Sequence, residues 1–176
     1  MRYRFATADV FTDRRFGGNP LAVLLDARGL DSAQMLQVAR EFNLSETVFV
    51  LPPEDPRRTR KLRIFTPRRE LPFAGHPTVG TAYLLGALGE VALTGDETAI
   101  TFEEGVGPVA VRLVARNGAP TFAELTAARP PELSPAPASP AALAEVCSLA
   151  AEDLGSWAEP QIVSCGVPFL FIPLRD

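Results

Sequence analysis

Histidine is almost missing from this 176-residue sequence: His76 stands alone, and only two cysteines, Cys147 and Cys165, accompany it at a distance. Three such residues so spaced do not form a His/Cys metal site of the usual kind, and two cysteines are too few for a disulfide scaffold. Thiols in that number fit a reducing cytoplasm. The apolar run of about eighteen residues that a membrane-spanning helix needs is missing too. The start, Met1-Arg2-Tyr3-Arg4-Phe5, lacks the apolar block of a signal peptide. Neither sign of charge dominates: 17 basic and 21 acidic residues give −4, and nothing global argues for a nucleic-acid partner. Gly-x-Gly-x-x-Gly, a Walker phosphate loop and a Gly-x-Ser-x-Gly elbow are all lacking, so nucleotide and serine-hydrolase chemistries have no signature. Glycine and proline, 13 and 17 residues, stay below the level that marks low-complexity disorder. What remains is a cytoplasmic globular protein with no expected metal, membrane or nucleic-acid partner.

The elements that are present read as α+β. Residues 3–11 and 20–25 are strand-like, separated by the turn-rich Asp13-Arg14-Arg15-Phe16-Gly17-Gly18-Asn19. Asp31 with Gln34 three positions on forms a capping box. Met35, Val38, Ala39 and Phe42 then recur at helical spacing, which predicts a helix over 32–42 ended by a left-handed Asn43. Strands follow at 45–51 and 60–66. Pro77 is expected to open a second helix, with Val79, Tyr83, Leu84, Ala87 and Leu88 as its apolar face and Gly89 as its end. A hairpin over 98–103 and 107–115 turns at Glu104-Gly105, and a weak strand covers 120–126. Residues 127–140 hold five prolines in fourteen positions and read as a semi-rigid crossover. A helix at 141–150 and strands at 161–164 and 168–174 come last. Gly166-Val167-Pro168 followed by an apolar run echoes Gly18-Asn19-Pro20 followed by Leu21–Leu25.

Two places carry candidate chemistry. In Glu70-Leu71-Pro72-Phe73-Ala74-Gly75-His76-Pro77-Thr78, the one histidine sits where a loop becomes a helix. The first N–H groups of a helix lack internal partners and lie at the positive end of its dipole, so such an end suits a carboxylate. Gly75 gives a ligand close access to the backbone. His76 there is either a proton-transfer group with a lowered pKa or a structural cap. Glu46, at the start of an apolar strand, is either a half-buried acid–base group with a raised pKa or an exposed strand-end carboxylate. Seven basic residues within 57–69 (Arg57, Arg58, Arg60, Lys61, Arg63, Arg68 and Arg69) read as a solvated face offset by Glu54, Asp55 and Glu70, or as steering for an acidic substrate. Cys165, in an apolar run, reads as a buried inert thiol.

Together these segments resemble the PhzF family of phenazine biosynthesis, within the diaminopimelate epimerase-like superfamily. The resemblance rests on Asp9-Val10-Phe11-Thr12, Phe16-Gly17-Gly18-Asn19-Pro20-Leu21-Ala22-Val23, Asn43-Leu44-Ser45-Glu46-Thr47, Phe65-Thr66-Pro67 and Glu70 through Gly80, with Ser164-Cys165-Gly166-Val167-Pro168 matching the opening of a second lobe. It implies two similar lobes, each a β-barrel-like sheet wrapped round a central helix, and cofactor-independent proton transfer on a small carboxylated molecule. Glu46 is then the acid–base and His76 its catalytic neighbour. Gly75, Pro77, Thr78 and Asn19 are the implied substrate contacts. The superfamily's amino-acid epimerases carry a cysteine near the position of His76; its lack here argues against a two-thiol racemase.

The same resemblance divides the chain into a complete lobe at 1–126, the crossover at 127–140 and the start of a second lobe at 141–176. Pro20 precedes His76 by 56 residues, and the same interval from Pro168 runs past Asp176. The second lobe is therefore expected to be incomplete, with an open sheet edge that needs cover. A homodimer, or another chain supplying the missing lobe, is the expected partner, and the chain alone is expected to be inactive or nearly so. The other reading is a non-catalytic lobe kept as a ligand-binding or assembly module.

Overall fold

A computed structural model describes residues 2–175. The chain divides into two units, residues 1–128 and 129–176.

The first unit is built on one eight-stranded sheet. Its strands are β1 (Phe5–Val10), β2 (Asn19–Leu24), β3 (Glu46–Leu51), β4 (Arg60–Phe65), β5 (Glu70–Leu71), β6 (Glu97–Glu104), β7 (Gly107–Arg116) and β8 (Ala119–Thr126). The path runs β1-β2-β3-β4-β6-β7-β8, and β5 pairs with β4 off that path. Most neighbours are antiparallel hairpins; β2–β3 and β4–β6 are parallel and bracket the helices α1 (Ser32–Phe42) and α2 (Gly75–Ala87). Parallel neighbours need such crossovers, which two-residue turns cannot supply.

Helix α2 touches β1 and β8, the two ends of that path, as well as β2, β3 and β7. A sheet whose opposite ends meet one helix is curled round it. The main core is this interior: Leu21, Val23, Val48, Val50, Leu62, Ile64, Phe102, Val109 and Leu113 surround Ala82 and Leu85 of α2. Helix α1 packs on the other face, where Met35 and Ala39 meet Leu24, Phe49 and Phe65. The rings of Phe49 and Phe65 stand edge to face at 5.4 Å.

Local sequence explains α1 fully. Asp31 accepts from the Gln34 N–H, the Gln34 side chain accepts from the Asp31 N–H, and Asn43 ends the helix with φ 51°. Helix α2 departs from the expectation in two ways. It begins at Gly75, so Pro77 is its third residue, where a missing N–H is still tolerated. Its buried side is also not the expected face: Tyr83 and Leu88 are 40% and 46% exposed, while Gly80, Thr81, Ala82, Leu85 and Gly86 are buried. A helix enclosed by a curled sheet has little wet face, so amphipathic spacing does not describe it. Gly80 makes the approach possible, since a Cβ there would lie 2.6 Å from Val10 Cγ2 and 2.7 Å from Leu21 Cδ2.

The second unit holds β9 (Glu132–Pro135), α3 (Pro140–Val146), β10 (Gln161–Ser164) and β11 (Pro168–Phe171). Its sheet has the order β11-β10-β9, all antiparallel. Residues 127–140, expected as a crossover, thus contain a strand. β9 is an edge strand, where Pro135 leaves no central ladder bond unmade. The Gly-x-Pro echo marks the same device twice: Pro20 and Pro168 lie in the second strands of antiparallel pairs, opposite Asp9 and Ser164. Cys165 is half-buried rather than buried, and Cys147 is exposed. Among the described residues no helix is long and apolar enough to cross a membrane.

Candidate active site

β2 and β3 are parallel, with Leu21 opposite Glu46, so their first residues, Asn19 and Glu46, lie at the same end of the sheet. The N-terminus of α2 reaches that end. Asn19 Nδ2 stands 3.1 Å from His76 Nδ1, and His76 Nε2 stands 3.2 Å from Glu46 Oε2. Asn19 thus meets the imidazole at Nδ1 and leaves Nε2 turned toward Glu46, with the direction of the Asn19–His76 bond set by the tautomer of the ring. The side chains of His76 and Glu46 are only 10% and 16% exposed.

The approach of Glu46 to His76 is close but not aligned as a hydrogen bond. Both Glu46 Oε2 and His76 Nε2 are buried polar atoms without a hydrogen-bond partner. Orphaned polar atoms of this kind are rare in folded proteins. Desolvation raises the Glu46 pKa. It also lowers the His76 pKa, against a smaller opposing effect from the Pro20 backbone. Both shifts favour the neutral forms.

The residues expected from the sequence divide into two groups. Asn19, Glu46 and His76 come together. Gly75 is exposed beside them, and a Cβ there would meet nothing within 4 Å, so there is open space over the helix end. Pro77 and Thr78, expected among the substrate contacts, are instead buried. Pro77 has no N–H, and the Thr78 N–H is engaged by the Ala74 carbonyl at 3.3 Å. The free helix-end donors therefore reduce to the N–H groups of Gly75 and His76, which have no intrahelical acceptor.

A family profile described as phenazine biosynthesis-like protein (PhzC-PhzF) matches residues 8–176. The chain belongs to this family. It is 46% identical over 170 residues to an uncharacterized isomerase from Mesorhizobium japonicum, a match covering 96% of this chain and 55% of that one. With the trans-2,3-dihydro-3-hydroxyanthranilate isomerase of Pseudomonas chlororaphis it shares 41% identity over 123 residues, 70% of this chain and 42% of the relative. The solved structure of a predicted epimerase from Pseudomonas aeruginosa superposes with a TM-score of 0.83 at 38% identity, over 98% of this chain and 60% of that one. The chain thus spans about half the length of these phenazine biosynthesis-like relatives. Its fold is the diaminopimelate epimerase-like one expected from the sequence.

Sequence reasoning missed one buried acid. Glu104 was read only as part of a turn, yet it is 8% exposed at the end of β6. The signal was present: Thr98, Ile100, Phe102 and Glu104 share one phase of a strict alternation, and all four are buried. The basic cluster at 57–69 is largely paired with its acidic neighbours: Lys61 with Glu54, Arg57 and Arg58 with Asp55, and Arg63 with Glu70. Among the described residues, no group of three His, Cys, Asp or Glu side chains is placed to hold a metal ion.

Proposed function

We propose that this protein is an isomerase that moves a proton between two carbons of a small carboxylated substrate without a cofactor, with Glu46 as the proton carrier. The observation that carries this reading is the orphaned Glu46 Oε2 facing His76 Nε2 beside the open N-terminus of α2. The substrate carboxylate accepts from the N–H groups of Gly75 and His76, where the helix dipole favours negative charge. Glu46 as carboxylate takes a proton from one carbon, and the electron pair of the broken C–H bond passes into the conjugated system of the substrate. Glu46 then returns the proton to another carbon, and the enzyme ends as it began. Its raised pKa makes it a stronger base than an exposed glutamate and a competent acid on the return. His76, fixed by Asn19, donates from Nε2 to the charge that develops beside Glu46. The names of the relatives support the class, and the name trans-2,3-dihydro-3-hydroxyanthranilate describes a carboxylated ring that fits it.

Since the chain alone is expected to be inactive or nearly so, the test is incubation of the chain together with a partner chain that supplies a complete second lobe, in a mixture shown to turn over, with trans-2,3-dihydro-3-hydroxyanthranilate in deuterated water. One product carbon should gain deuterium, and Glu46→Gln should lower the rate by about 10²–10⁴-fold, the usual worth of a positioned acid–base group. Labelling by the Gln variant at the wild-type rate sinks the assignment of Glu46.

A further inference from the structure

Glu104 lies far from Glu46 in sequence and has no part in the proton transfer just described. Its carboxyl nonetheless meets the helix that carries His76. Thr78 Oγ1 lies 2.7 Å from Glu104 Oε1 and 2.8 Å from the carbonyl oxygen of Ala74, the N-cap of α2. A hydroxyl has one proton and cannot give it to two acceptors at once. Two oxygens at such distances without a hydrogen between them repel, so the second hydrogen must come from the carboxyl. The arrangement closes when Glu104 donates to Thr78 Oγ1 and Thr78 donates to Ala74. The other carboxyl oxygen, Oε2, is buried without a partner, which is tolerable for a neutral acid and costly for an anion.

The surroundings supply no counter-charge. The ionisable groups that share the pocket beside Glu104 are already engaged: Lys61 with Glu54, Arg58 with Asp55, and Arg63 with Glu70. Glu103 accepts from the N–H groups of Glu54 and Asp55 at 2.7 and 2.6 Å. Burial pushes the Glu104 carboxyl up to about 7, and a Thr78 hydroxyl that turned its proton to the carboxylate rather than to Ala74 opposes this only in part.

The turn that bears Glu104 grips the approach to α2 a second time. The Val106 N–H donates to the Pro72 carbonyl at 2.9 Å. A Cβ on Gly105 would lie 2.9 Å from Pro72 Cα, so the two backbones are in direct contact. The β6–β7 turn thus holds the loop before α2 through its backbone and the first turn of α2 through the Glu104 side chain.

We propose that Glu104, as a neutral acid, is a positioning residue: through Thr78 and Ala74 it fixes the first turn of α2, and with it the Gly75 and His76 groups that receive the substrate carboxylate. The role in catalysis rests on the reading given above; the hydrogen-bond relay does not, and the two are tested apart. Carboxyl NMR of ¹³C-glutamate-labelled protein, with the Glu104 signal assigned by its loss in Glu104→Gln, should show this acid protonated into the neutral range. Titration in the ordinary carboxylate range overturns the proposal. Amide hydrogen exchange reads the relay: Glu104→Ala should speed exchange at Thr78 by about tenfold while Val111 in β7 keeps its protection. Glu104→Gln, whose NH₂ can replace the donated hydrogen, should restore Thr78 to within about twofold of wild type. Unchanged Thr78 exchange in the Ala variant, or no rescue by Gln, overturns the relay. If Glu104→Ala does not fold, Thr78→Val removes the same hydroxyl, and tight protection of residue 78 in that variant is equally fatal. In turnover, measured on the chain completed by a partner that supplies the second lobe, Glu104→Ala should raise KM about tenfold with a smaller change in kcat. An unchanged KM beside a lost relay overturns the positioning role. A protein in which Glu46→Gln exchanges normally, yet Glu104 behaves as described, would lose the proposed function and keep the relay.

Discussion

Strands β6 and β11 both carry large apolar side chains, and these meet opposite fates. In β6, Ile100 and Phe102 point into a core shared with α2, and Phe102 is fully buried. In β11, Phe169, Leu170 and Phe171 are 62%, 41% and 56% exposed, on both faces of a three-stranded sheet. An unbroken apolar run normally marks a strand covered on both sides. Among their apolar side chains, the described residues of the second unit bury Leu143, Ala144, Leu154 and Pro173 and no others. The difference shows that strand formation and core formation are separate events. The ladder of β9, β10 and β11 stands on backbone pairing with little apolar cover, whereas the order of the first unit comes from a helix enclosed by its sheet.

The largest expected effect tests that contrast with one substitution in two places. Phe102→Ala should cost about 3–5 kcal/mol in urea unfolding, the usual cost of emptying a filled aromatic site. Phe169→Ala should change stability by no more than about 0.5 kcal/mol and should reduce binding of a dye that reports exposed apolar surface. A Phe169→Ala variant as damaged as Phe102→Ala would mean that β11 is packed after all.

Next in size is a pH effect that belongs to β6. The carboxyl of Glu104 rises from its ordinary 4.5 to about 7 on folding. The folded state then holds a proton that the unfolded state has lost, so stability falls as pH rises between those values and is level above them. The drop amounts to about 3 kcal/mol at most. Glu104→Gln, which does not titrate, should flatten the stability curve from about pH 4.5 to about pH 7. A wild-type curve already flat across that window would remove Glu104 from the set of neutral buried acids.

The same contrast explains what could be read from the sequence. Helix α1 was legible to the residue because each end is set within a few positions, Asp31 by Gln34 and Asn43 by Ala39. The enclosed helix α2 was placed but its face was misread, since Tyr83 and Leu88 point outward while Gly80 and Thr81 are covered. That outcome depends on strands far away in sequence. The meeting of Asn19, Glu46 and His76 spans 57 positions and depends on β2 and β3 being parallel, which no local signal states. Only the resemblance of several motifs in order brought those residues together beforehand. Glu104 is the reverse case: the alternation of β6 marks it as buried, although it stands beside the Gly105 of a turn.

The smallest effect sharpens the comparison by removing the core from it. Both units hold a helix with a side-chain cap. Asp31 accepts from the Gln34 N–H at 2.8 Å and its own N–H is held by the Gln34 side chain, while Ser139 accepts from the Ala142 N–H at 3.3 Å, with Pro140 at the first helical position. A cap acts on the first turn alone and does not depend on what lies beyond it. Asp31→Ala should therefore cost about 1 kcal/mol, and Ser139→Ala, which loses a single longer bond, somewhat less. Amide exchange at Gln34 and at Ala142 reads each loss in its own helix. If the two units differ only in tertiary burial, both amides should respond, although Phe102→Ala and Phe169→Ala differ widely. A response at Gln34 with none at Ala142 would show that α3 lacks even its local hydrogen bonds, and the contrast between the units would then begin at secondary structure rather than at the core.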